Sequence, residues 1–216
     1  MFINWFNFED SILKKETVYK YDAAGRMEEI WDSGKLAAAY TYKPDSLPAG
    51  IRYGNGVTVE YSYDSDKNIA GIVAKNSEGV EILKHSYEYD NNGNQIKKEE
   101  NGRVTQYIYD SLNRLSKVVY PDVEELFSYD YAGNRIYRKK GSLETTYSYD
   151  TRNRLIEKIE GSEQTRYSYD SNGNLITESG RQGTISYTYD CFNRTERVRK
   201  SNGEYIRNFY DPEGLR

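Results

Sequence analysis

Histidine, cysteine and long apolar stretches are nearly missing from this chain of 216 residues. The single histidine, His85, excludes a histidine-based metal site and a Ser-His-Asp triad within one chain. The single cysteine, Cys191, excludes an intramolecular disulfide framework, and no partner that would activate its thiol is recognisable, so we expect an exposed, unreactive thiol. No apolar run approaches the ~20 residues that cross a bilayer, so no membrane span is predicted.

An excess of charge of one sign is also missing. The 30 basic and 34 acidic residues leave a net charge of −4, and the two signs are mixed along the chain. No basic stripe stands out, and the sequence therefore predicts no nucleic-acid partner. The first residues, MFINWFNFEDSILKKE, lack the basic region, apolar core and cleavage site of a signal peptide. We expect either an intracellular chain or a piece of a longer protein.

What the chain has in abundance is tyrosine. The mean hydropathy of −0.92 would suggest disorder, but the sequence contains 23 tyrosines, a residue that disordered segments usually lack. Tyrosine favours strands over helices, and its large ring can be buried while the hydroxyl finds a partner. The composition therefore predicts a β-rich protein.

A Tyr-x-Tyr-Asp phrase recurs along the chain, as in YSYDSNGNLI from Tyr167 to Ile176. The step between its aspartates is 20 residues without exception from Asp90 to Asp190. The step of 42 residues that begins at Asp22 contains a decayed copy, YTYKP, with Lys43 in place of aspartate, and the step of 26 that ends at Asp90 requires one longer connection. Ten copies make residues 19–216 a repeat array.

Residues 1–18 differ from the repeats because they are rich in aromatic side chains. Phe2, Trp5, Phe6 and Phe8 could cover the open edge of the first hairpin, as end caps do in repeat proteins. We favour such a cap, and a degenerate eleventh repeat is the alternative.

Each phrase carries the signature of a tight turn. A type I turn favours Asp at its first position, and in a hairpin it is commonly followed by a left-handed residue, a conformation that Gly adopts freely and Asn better than most. Lys67 alone breaks this pattern at the fourth position. The predicted structural turn positions are Asp22 and Gly25, Asp90 and Gly93, Asp110 and Asn113, Asp130 and Gly133, Asp150 and Asn153, Asp170 and Gly173, Asp190 and Asn193, and Asp211 and Gly214.

The segments on both sides of each turn alternate as strands do. The two tyrosines of a phrase project from one face, whereas Ile108, Ser148, Ser168 and Thr188 project from the other. A second reversal about ten residues later is predicted as a two-residue turn at Asn101-Gly102, Gly141-Ser142, Gly161-Ser162 and Asn202-Gly203. The sequence therefore predicts an all-β fold, an antiparallel meander of about ten consecutive β-hairpins.

The tyrosine rows have two interpretations. Packing is the favoured one, because rings and Leu or Ile side chains from the strand between are expected to alternate as cross-strand pairs. Exposed rings that stack on sugars are the alternative.

No residue pattern points to catalysis, to a cofactor or to a metal. The DNNGN and DSNGN loops lack the alternating carboxylates and distal glutamate of an EF-hand loop. Paired acids could act as a glycosidase, but every repeated aspartate is explained as the start of a turn. We therefore predict no catalytic, metal-binding or cofactor-binding residues, and a chain that is not an enzyme.

A Tyr-Asp phrase followed by Gly-Asn or Asn-Arg at a 20-residue step, as in YSYDSNGNL and YDTRNRL, resembles the YD-repeat, or Rhs-repeat, family. That family includes Rhs polymorphic toxins, wall-associated proteins, toxin-complex shell proteins and teneurins. The resemblance implies a sheet that curves into a spiral or partial β-shell of a secreted or surface protein of the toxin type. It also implies that the partners are the remainder of a larger shell or a toxin cargo. The alternative it leaves is a carbohydrate-binding or adhesive surface module with glycans as partners.

The expected size limits what this chain could enclose by itself. Ten hairpins supply ~20 strands, and at ~4.8 Å per strand the sheet is ~95 Å wide. Rolled once, it would form a tube of ~15 Å radius, of which inward side chains occupy ~5 Å. The remaining radius of ~10 Å is too small for a folded domain whose radius of gyration is ~13 Å. We therefore expect an excerpt of a larger repeat protein that cannot encapsulate a toxin alone.

Overall fold

A computed structural model describes residues 16–215 of the chain. Within these residues there are nineteen β-strands and no helix. The chain divides between Tyr107 and Ile108 into two compact units. The predicted cap falls mostly on residues 1–15, which lie outside the described part of the chain.

In each unit the strands follow one another as a meander. The first unit contains β1 (Thr17–Tyr21), β2 (Met27–Asp32), β3 (Lys35–Tyr42), β4 (Pro48–Tyr53), β5 (Thr58–Tyr63), β6 (Ile69–Lys75), β7 (Glu81–Tyr89), β8 (Gln95–Glu100) and most of β9 (Arg103–Tyr109). The second unit contains β10 (Leu115–Val119), β11 (Glu124–Tyr129), β12 (Arg135–Lys140), β13 (Leu143–Tyr149), β14 (Leu155–Glu160), β15 (Glu163–Tyr169), β16 (Leu175–Gly180), β17 (Gly183–Tyr189), β18 (Thr195–Lys200) and β19 (Tyr205–Arg207).

Within each unit, consecutive strands pair antiparallel, which confirms the predicted meander of hairpins. The strand pairs that flank the Asp turns contain a register shift at the tyrosine before the aspartate, for example between Ser148 and Tyr149 and between Ser168 and Tyr169. One extra residue therefore lies on one strand beside the turn, as in a β-bulge, and such a bulge increases the local right-handed twist.

The reversals at the other end of the hairpins match three of the four predicted two-residue turns. Asn101 and Gly102 both have positive φ, at 50° and 84°. Gly141 and Gly161 have φ of 58° and 59°, whereas the serine that follows each does not share this conformation. These are the two primed turn geometries that suit the twist of a hairpin.

The fourth predicted two-residue turn, Asn202-Gly203, is wrong. The amide of Gly203 donates to the carbonyl of Lys200 at 3.0 Å, and the amide of Lys200 donates to the carbonyl of Glu204 at 2.8 Å. Three residues therefore form this loop, with only Gly203 in the left-handed region at a φ of 93°. The dipeptide is the same as at Asn101-Gly102, and the extra residue changes the turn type.

The longer connection that the 26-residue step requires lies between β6 and β7. Asn76 occupies the place of the aspartate there, because its side-chain oxygen accepts hydrogen bonds from the amides of Glu78 and Val80 at 3.0 and 2.9 Å. An amide oxygen accepts from the same two amides as a carboxylate does, so Asn76 closes an equivalent turn.

The sheet of each unit has two faces, and full burial is rare on both. We call the face that carries the Tyr-x-Tyr rings the tyrosine face and the opposite one, which carries Ser148 and Thr188, the serine face. Among the described residues, the buried apolar side chains are Ala38, Ala74 and Val118. Each strand therefore packs chiefly against its neighbours and not into a central core.

The expected alternation of rings with aliphatic side chains holds only for some repeats. Tyr61 lies opposite Ile72 and Tyr187 opposite Val198, as expected. Tyr19 and Tyr40 also lie opposite isoleucines, Ile30 and Ile51. Charged residues face four other first rings: Lys98 faces Tyr87, Arg138 faces Phe127, Lys158 faces Tyr147 and Glu178 faces Tyr167. The long stems of Lys98, Arg138 and Lys158 cover the rings while the charged ends pair with carboxylates, which the hydrophobic pattern does not reveal.

One charge on the tyrosine face of the second unit, that of Glu125, is both buried and paired. The side chain of Glu125, a residue that is 5% exposed, accepts from Arg138 Nε at 2.5 Å and from the Tyr120 hydroxyl at 3.2 Å. Burial alone would raise the pKa of the Glu125 carboxyl, but the hydrogen bond and charge of Arg138 outweigh it, and the pKa is lowered. Glu125 is therefore ionised at neutral pH.

The fourth residue of each Asp turn, counted from the aspartate, has a positive φ. Substitutions at two of these positions should therefore change stability in opposite directions. Gly173 has a φ of 92° and Lys67 a φ of 69°. Gly173→Val should lower the free energy of unfolding by about 1–2 kcal/mol, because a β-branched residue is strained in this region. Lys67→Gly should raise it by about 0.5–1 kcal/mol, because glycine removes the strain. Urea denaturation measures both, and an unchanged Gly173→Val protein would contradict the proposed source of the turn.

Candidate functional site: the Asp turns

Each Asp turn is closed by its own backbone and by the aspartate side chain. At Asp150, the aspartate amide donates to the carbonyl of Arg154 and the amide of Asn153 donates to the carbonyl of Asp150, both at 3.0 Å. The carboxylate Oδ1 accepts from the amides of Arg152 and Arg154 at 2.9 and 3.0 Å. One carboxylate oxygen therefore satisfies two amides that the strand ladder cannot reach.

The structure places all the sequence-predicted positions in such turns. Each aspartate stands first, and the fourth residue has a positive φ in every case: Gly25 76°, Gly93 82°, Asn113 59°, Gly133 87°, Asn153 60°, Gly173 92°, Asn193 58° and Gly214 84°. The two exceptions in the sequence adopt the same form. Lys67 has a φ of 69°, and in the decayed copy Ser46 has a φ of 68° and its amide donates to the carbonyl of Lys43. The flanking strands thus impose the turn even where the residue is unfavourable.

The second carboxylate oxygen binds the residue four positions after the aspartate. Arg154 Nε donates to Asp150 Oδ2 at 2.7 Å, and Asn174 Nδ2 donates to Asp170 Oδ2 at 2.9 Å. The same position is Arg114 after Asp110, Asn134 after Asp130 and Arg194 after Asp190, so arginine and asparagine alternate. Sequence reasoning missed this residue, although the alternation is visible in the printed chain.

These hydrogen bonds lower the pKa of the carboxyls of Asp150 and Asp170. At Asp150 the causes are the backbone amide and then the side chain of Arg154, against a smaller effect of burial. At Asp170 the main cause is the side-chain hydrogen bond from Asn174. Both carboxylates are therefore ionised at neutral pH, and their oxygens are already engaged within the turn.

Tyrosine hydroxyls connect each turn to the one before it. Tyr169 donates to the carbonyl of Leu155 at 2.8 Å, and Tyr189 donates to that of Leu175 at 2.9 Å. The accepting residue is the fifth after the preceding aspartate, or after Lys43 in the decayed copy. The same bond joins Tyr129 to Leu115, Tyr149 to Arg135 and Tyr210 to Thr195 in the second unit, and Tyr42 to Met27, Tyr63 to Pro48 and Tyr89 to Ile69 in the first. The second tyrosine of each phrase is thus a link between repeats as well as a packing residue.

The arginines of the turns extend the same connection. The Arg154 guanidinium carbon lies 4.8 Å from the centre of the Tyr169 ring, and Arg154 Nη1 donates to the carbonyl of Asp170 at 3.3 Å. In turns that carry asparagine, an amide replaces this contact, because Asn174 Nδ2 also lies 2.9 Å from Asn193 Oδ1. The aspartate, the arginine or asparagine four positions after it, and the second tyrosine of the next phrase therefore form a column. This column runs along the end of the strands at which the Asp turns lie.

In this arrangement the carboxylates, the tyrosine hydroxyls and the guanidinium groups form hydrogen bonds with backbone groups. Within residues 16–215 there is no group of three or more His, Cys, Asp or Glu side chains placed to hold a metal ion. The same residues include no helix of the length and apolarity needed to cross a membrane. Cys191 is exposed in its turn. The column is a structural site that connects neighbouring repeats.

Removal of one hydroxyl tests that connection. Tyr169→Phe keeps the ring but leaves the Leu155 carbonyl without its donor, and the free energy of unfolding should fall by about 1 kcal/mol. Tyr131→Phe is the matched control, because Tyr131 is fully exposed at 112% of its reference area and should have no effect. Equal denaturation midpoints for the two variants would show that the hydroxyl does not stabilise the repeat.

Because the pKa of these turn carboxyls is lowered in the folded state, the stability of the fold depends on pH. The folded-state pKa lies below the ordinary value of 3.8, so the stabilisation is present above that value and is lost as the pH falls through the folded pKa. The melting temperature should therefore be nearly constant from about pH 7 to 5 and fall below about pH 4. Asp170→Asn retains the acceptor oxygen and cannot ionise, so its melting temperature should fall less steeply in acid. The same slope in both proteins would contradict this role.

Comparison with known proteins supports this picture of the repeats. The sequence family described as the teneurin YD-shell matches residues 11–139 and 132–215 of the chain. None of the curated protein sequences compared with the chain matches it significantly.

Two of the similar solved structures are Tc toxin proteins. One is the Tc holotoxin pore of Photorhabdus luminescens, with a TM-score of 0.60 and 18% identity over 87% of this chain and 12% of the other. The second is TcdB2-TccC3, with a TM-score of 0.61 and 18% identity over 87% of this chain and 13% of the other. At this identity the likeness concerns the fold, and the chain spans about one eighth of the length of these proteins.

Proposed function

Because the chain belongs to the teneurin YD-shell family, we propose that it is a structural segment of the wall of a β-shell in a toxin-type protein. In this role the repeats carry no catalytic group, and the chain contributes strands to a larger sheet. The sheet would curve as the family resemblance implies.

The observation that carries this proposal is the column of connections between turns. Each repeat bonds to the one before it by a strand ladder, by a tyrosine hydroxyl and, at alternate turns, by an arginine, as at Tyr169 and Arg154. Such contacts reach only the nearest neighbours, which is the organisation of a repeat protein that grows in one direction. With few buried side chains, the chain is suited to a thin wall more than to a globular domain.

The partners follow from the size of the chain. The similar toxin proteins are about eight times as long as the matched segment, which supports a role as one part of a larger assembly. We therefore propose further YD repeats as the neighbours of this segment and a toxin segment as the cargo of the completed shell. A secreted or cell-surface location goes with this role.

Deletion of whole repeats from the polypeptide of the complete gene tests the proposal. Removal of residues 131–170 joins Asp130 to Ser171 and so keeps the phase of the repeat while it removes four strands. If the segment is a wall, any enclosed segment should become accessible to trypsin while the remaining repeats stay folded. Tyr131→Ser is the matched control, since this exposed side chain should not affect protection.

Two outcomes would contradict the proposal. One is equal trypsin sensitivity of the intact and deleted proteins, with no protected segment in either. The other is specific binding on a glycan array that Tyr131→Ser or other exposed-tyrosine variants abolish, which would favour a carbohydrate-binding module.

A further inference from the structure

Charged side chains on the serine face are matched across neighbouring strands. Lys97 Nζ lies 2.7 Å from a carboxylate oxygen of Glu88, and Lys139 Nζ lies 2.7 Å from one of Glu144. The same pairing joins Lys20 with Glu29, Lys117 with Glu124 and Arg166 with Glu157. A charge on this face is thus normally opposed by one of the other sign.

Strand β18 breaks this pattern with two arginines. Arg197 lies between Thr188 on β17 and Arg207 on β19, and Arg199 lies between Ser186 and Tyr205. Both arginines are exposed, and neither forms an ion pair within residues 16–215. Arg207 is exposed as well and pairs with Glu196 at 3.1 Å.

The fold does not require this concentration of positive charge. Like charges directly opposite one another destabilise a sheet, and Arg197 faces Arg207. The corresponding positions of other repeats carry Glu157 and Ile159, or Thr177 and Ser179, so the turn and strand pattern tolerates many residues there. A concentration of unpaired like charge on a face where most charges are paired points to a binding function.

We propose that this arginine surface, formed by Arg197, Arg199 and Arg207 with Ser186, Thr188 and Tyr205, binds an extended acidic peptide segment of a partner protein. Arg197 and Arg199 are two residues apart on one strand, and their side chains leave the same face ~7 Å apart. Alternate side chains of an extended peptide have this same spacing.

The neighbouring side chains suit such a ligand. Guanidinium groups bind carboxylates through two parallel hydrogen bonds, and the hydroxyls of Ser186 and Thr188 lie on the adjoining strand as further donors. Tyr205 is 65% exposed, and its ring centre lies 5.6 Å from the Arg197 guanidinium carbon. The ring would cover the stems of the acidic side chains.

The extent of the surface favours a short acidic segment over a nucleic acid. Three neighbouring strands span ~10 Å, which accommodates two or three anionic groups. A nucleic acid carries a phosphate at every nucleotide and would extend beyond the arginines. The net charge of the chain, −4, also disfavours a polyanion.

The test is fluorescence anisotropy with the full chain and a labelled decapeptide of alternating Glu and Thr. We expect this peptide to bind, a Lys-Thr peptide of the same length not to bind, and the affinity to fall between about 50 and 150 mM salt. The affinity of the double variant Arg197→Ser, Arg199→Ser for the Glu-Thr peptide should be at least about ten-fold lower. Arg166→Ser is the matched control, an exposed arginine of the same face that is already paired with Glu157.

Thermal stability separates loss of binding from loss of fold. The double variant should melt no lower than the parent, because it removes the opposition of Arg197 and Arg207. Arg199→Gln alone, which retains most of the stem, should also weaken binding of the Glu-Thr peptide.

Three results would overturn the proposal. The first is no binding of the Glu-Thr peptide at about 1 mM, a concentration at which even weak specific contacts are occupied. The second is an equal loss of affinity in Arg166→Ser and in the arginine-surface variants. The third is tighter binding of a single-stranded DNA decamer than of the peptide, which would identify a nucleic-acid surface.

Discussion

The hydrogen bonds from two backbone amides to one aspartate oxygen are the interaction on which the repeat pattern depends, and one decayed copy lacks them. In a hairpin of this kind the amides inside the turn point away from the strand ladder, and a carboxylate of the right length reaches both. At Asp150 the two distances are 2.9 and 3.0 Å. The left-handed residue in fourth position then turns the chain into the next strand, and the residue after it fixes the second carboxylate oxygen.

Natural departures from this pattern indicate how the energy is distributed. Asn76 supplies an amide oxygen and makes the same two bonds, whereas Lys43 supplies no acceptor at all. The turn at Lys43 still closes through its backbone, with the amide of Ser46 on the carbonyl of Lys43 at 2.9 Å. The strands on both sides therefore hold a weak turn in place, which allows an array of repeats to tolerate a decayed copy.

Tyrosine suits a sheet that has little interior. A leucine at the same place would have no apolar core to pack into. The ring of Tyr169 packs against Arg154, and its hydroxyl donates to the Leu155 carbonyl. The charged residues of the tyrosine face follow the same logic, since Arg138 covers a ring with its stem and pairs with Glu125. Stability thus comes from contacts between neighbours along the array. On the arginine surface of β18 two neighbouring like charges lack such pairing, and the packing of the repeats does not explain them.

The sequence by itself determined the class of fold, the phase of the repeat and the location of the Asp turns, because each of these depends on local backbone preferences. Asp170 and Gly173 identify a turn within a few residues, and no distant contact is needed to recognise it. The same local reasoning was wrong at Asn202-Gly203, where the loop has three residues and the strand register decides the turn type. It also missed the hydroxyl bond of Tyr169 and the opposition of Arg197 and Arg207, since these join residues brought together only by the pairing of strands. Tertiary structure alone decided which side chain faces which, because a cross-strand neighbour is set by register and bulges and not by distance along the chain.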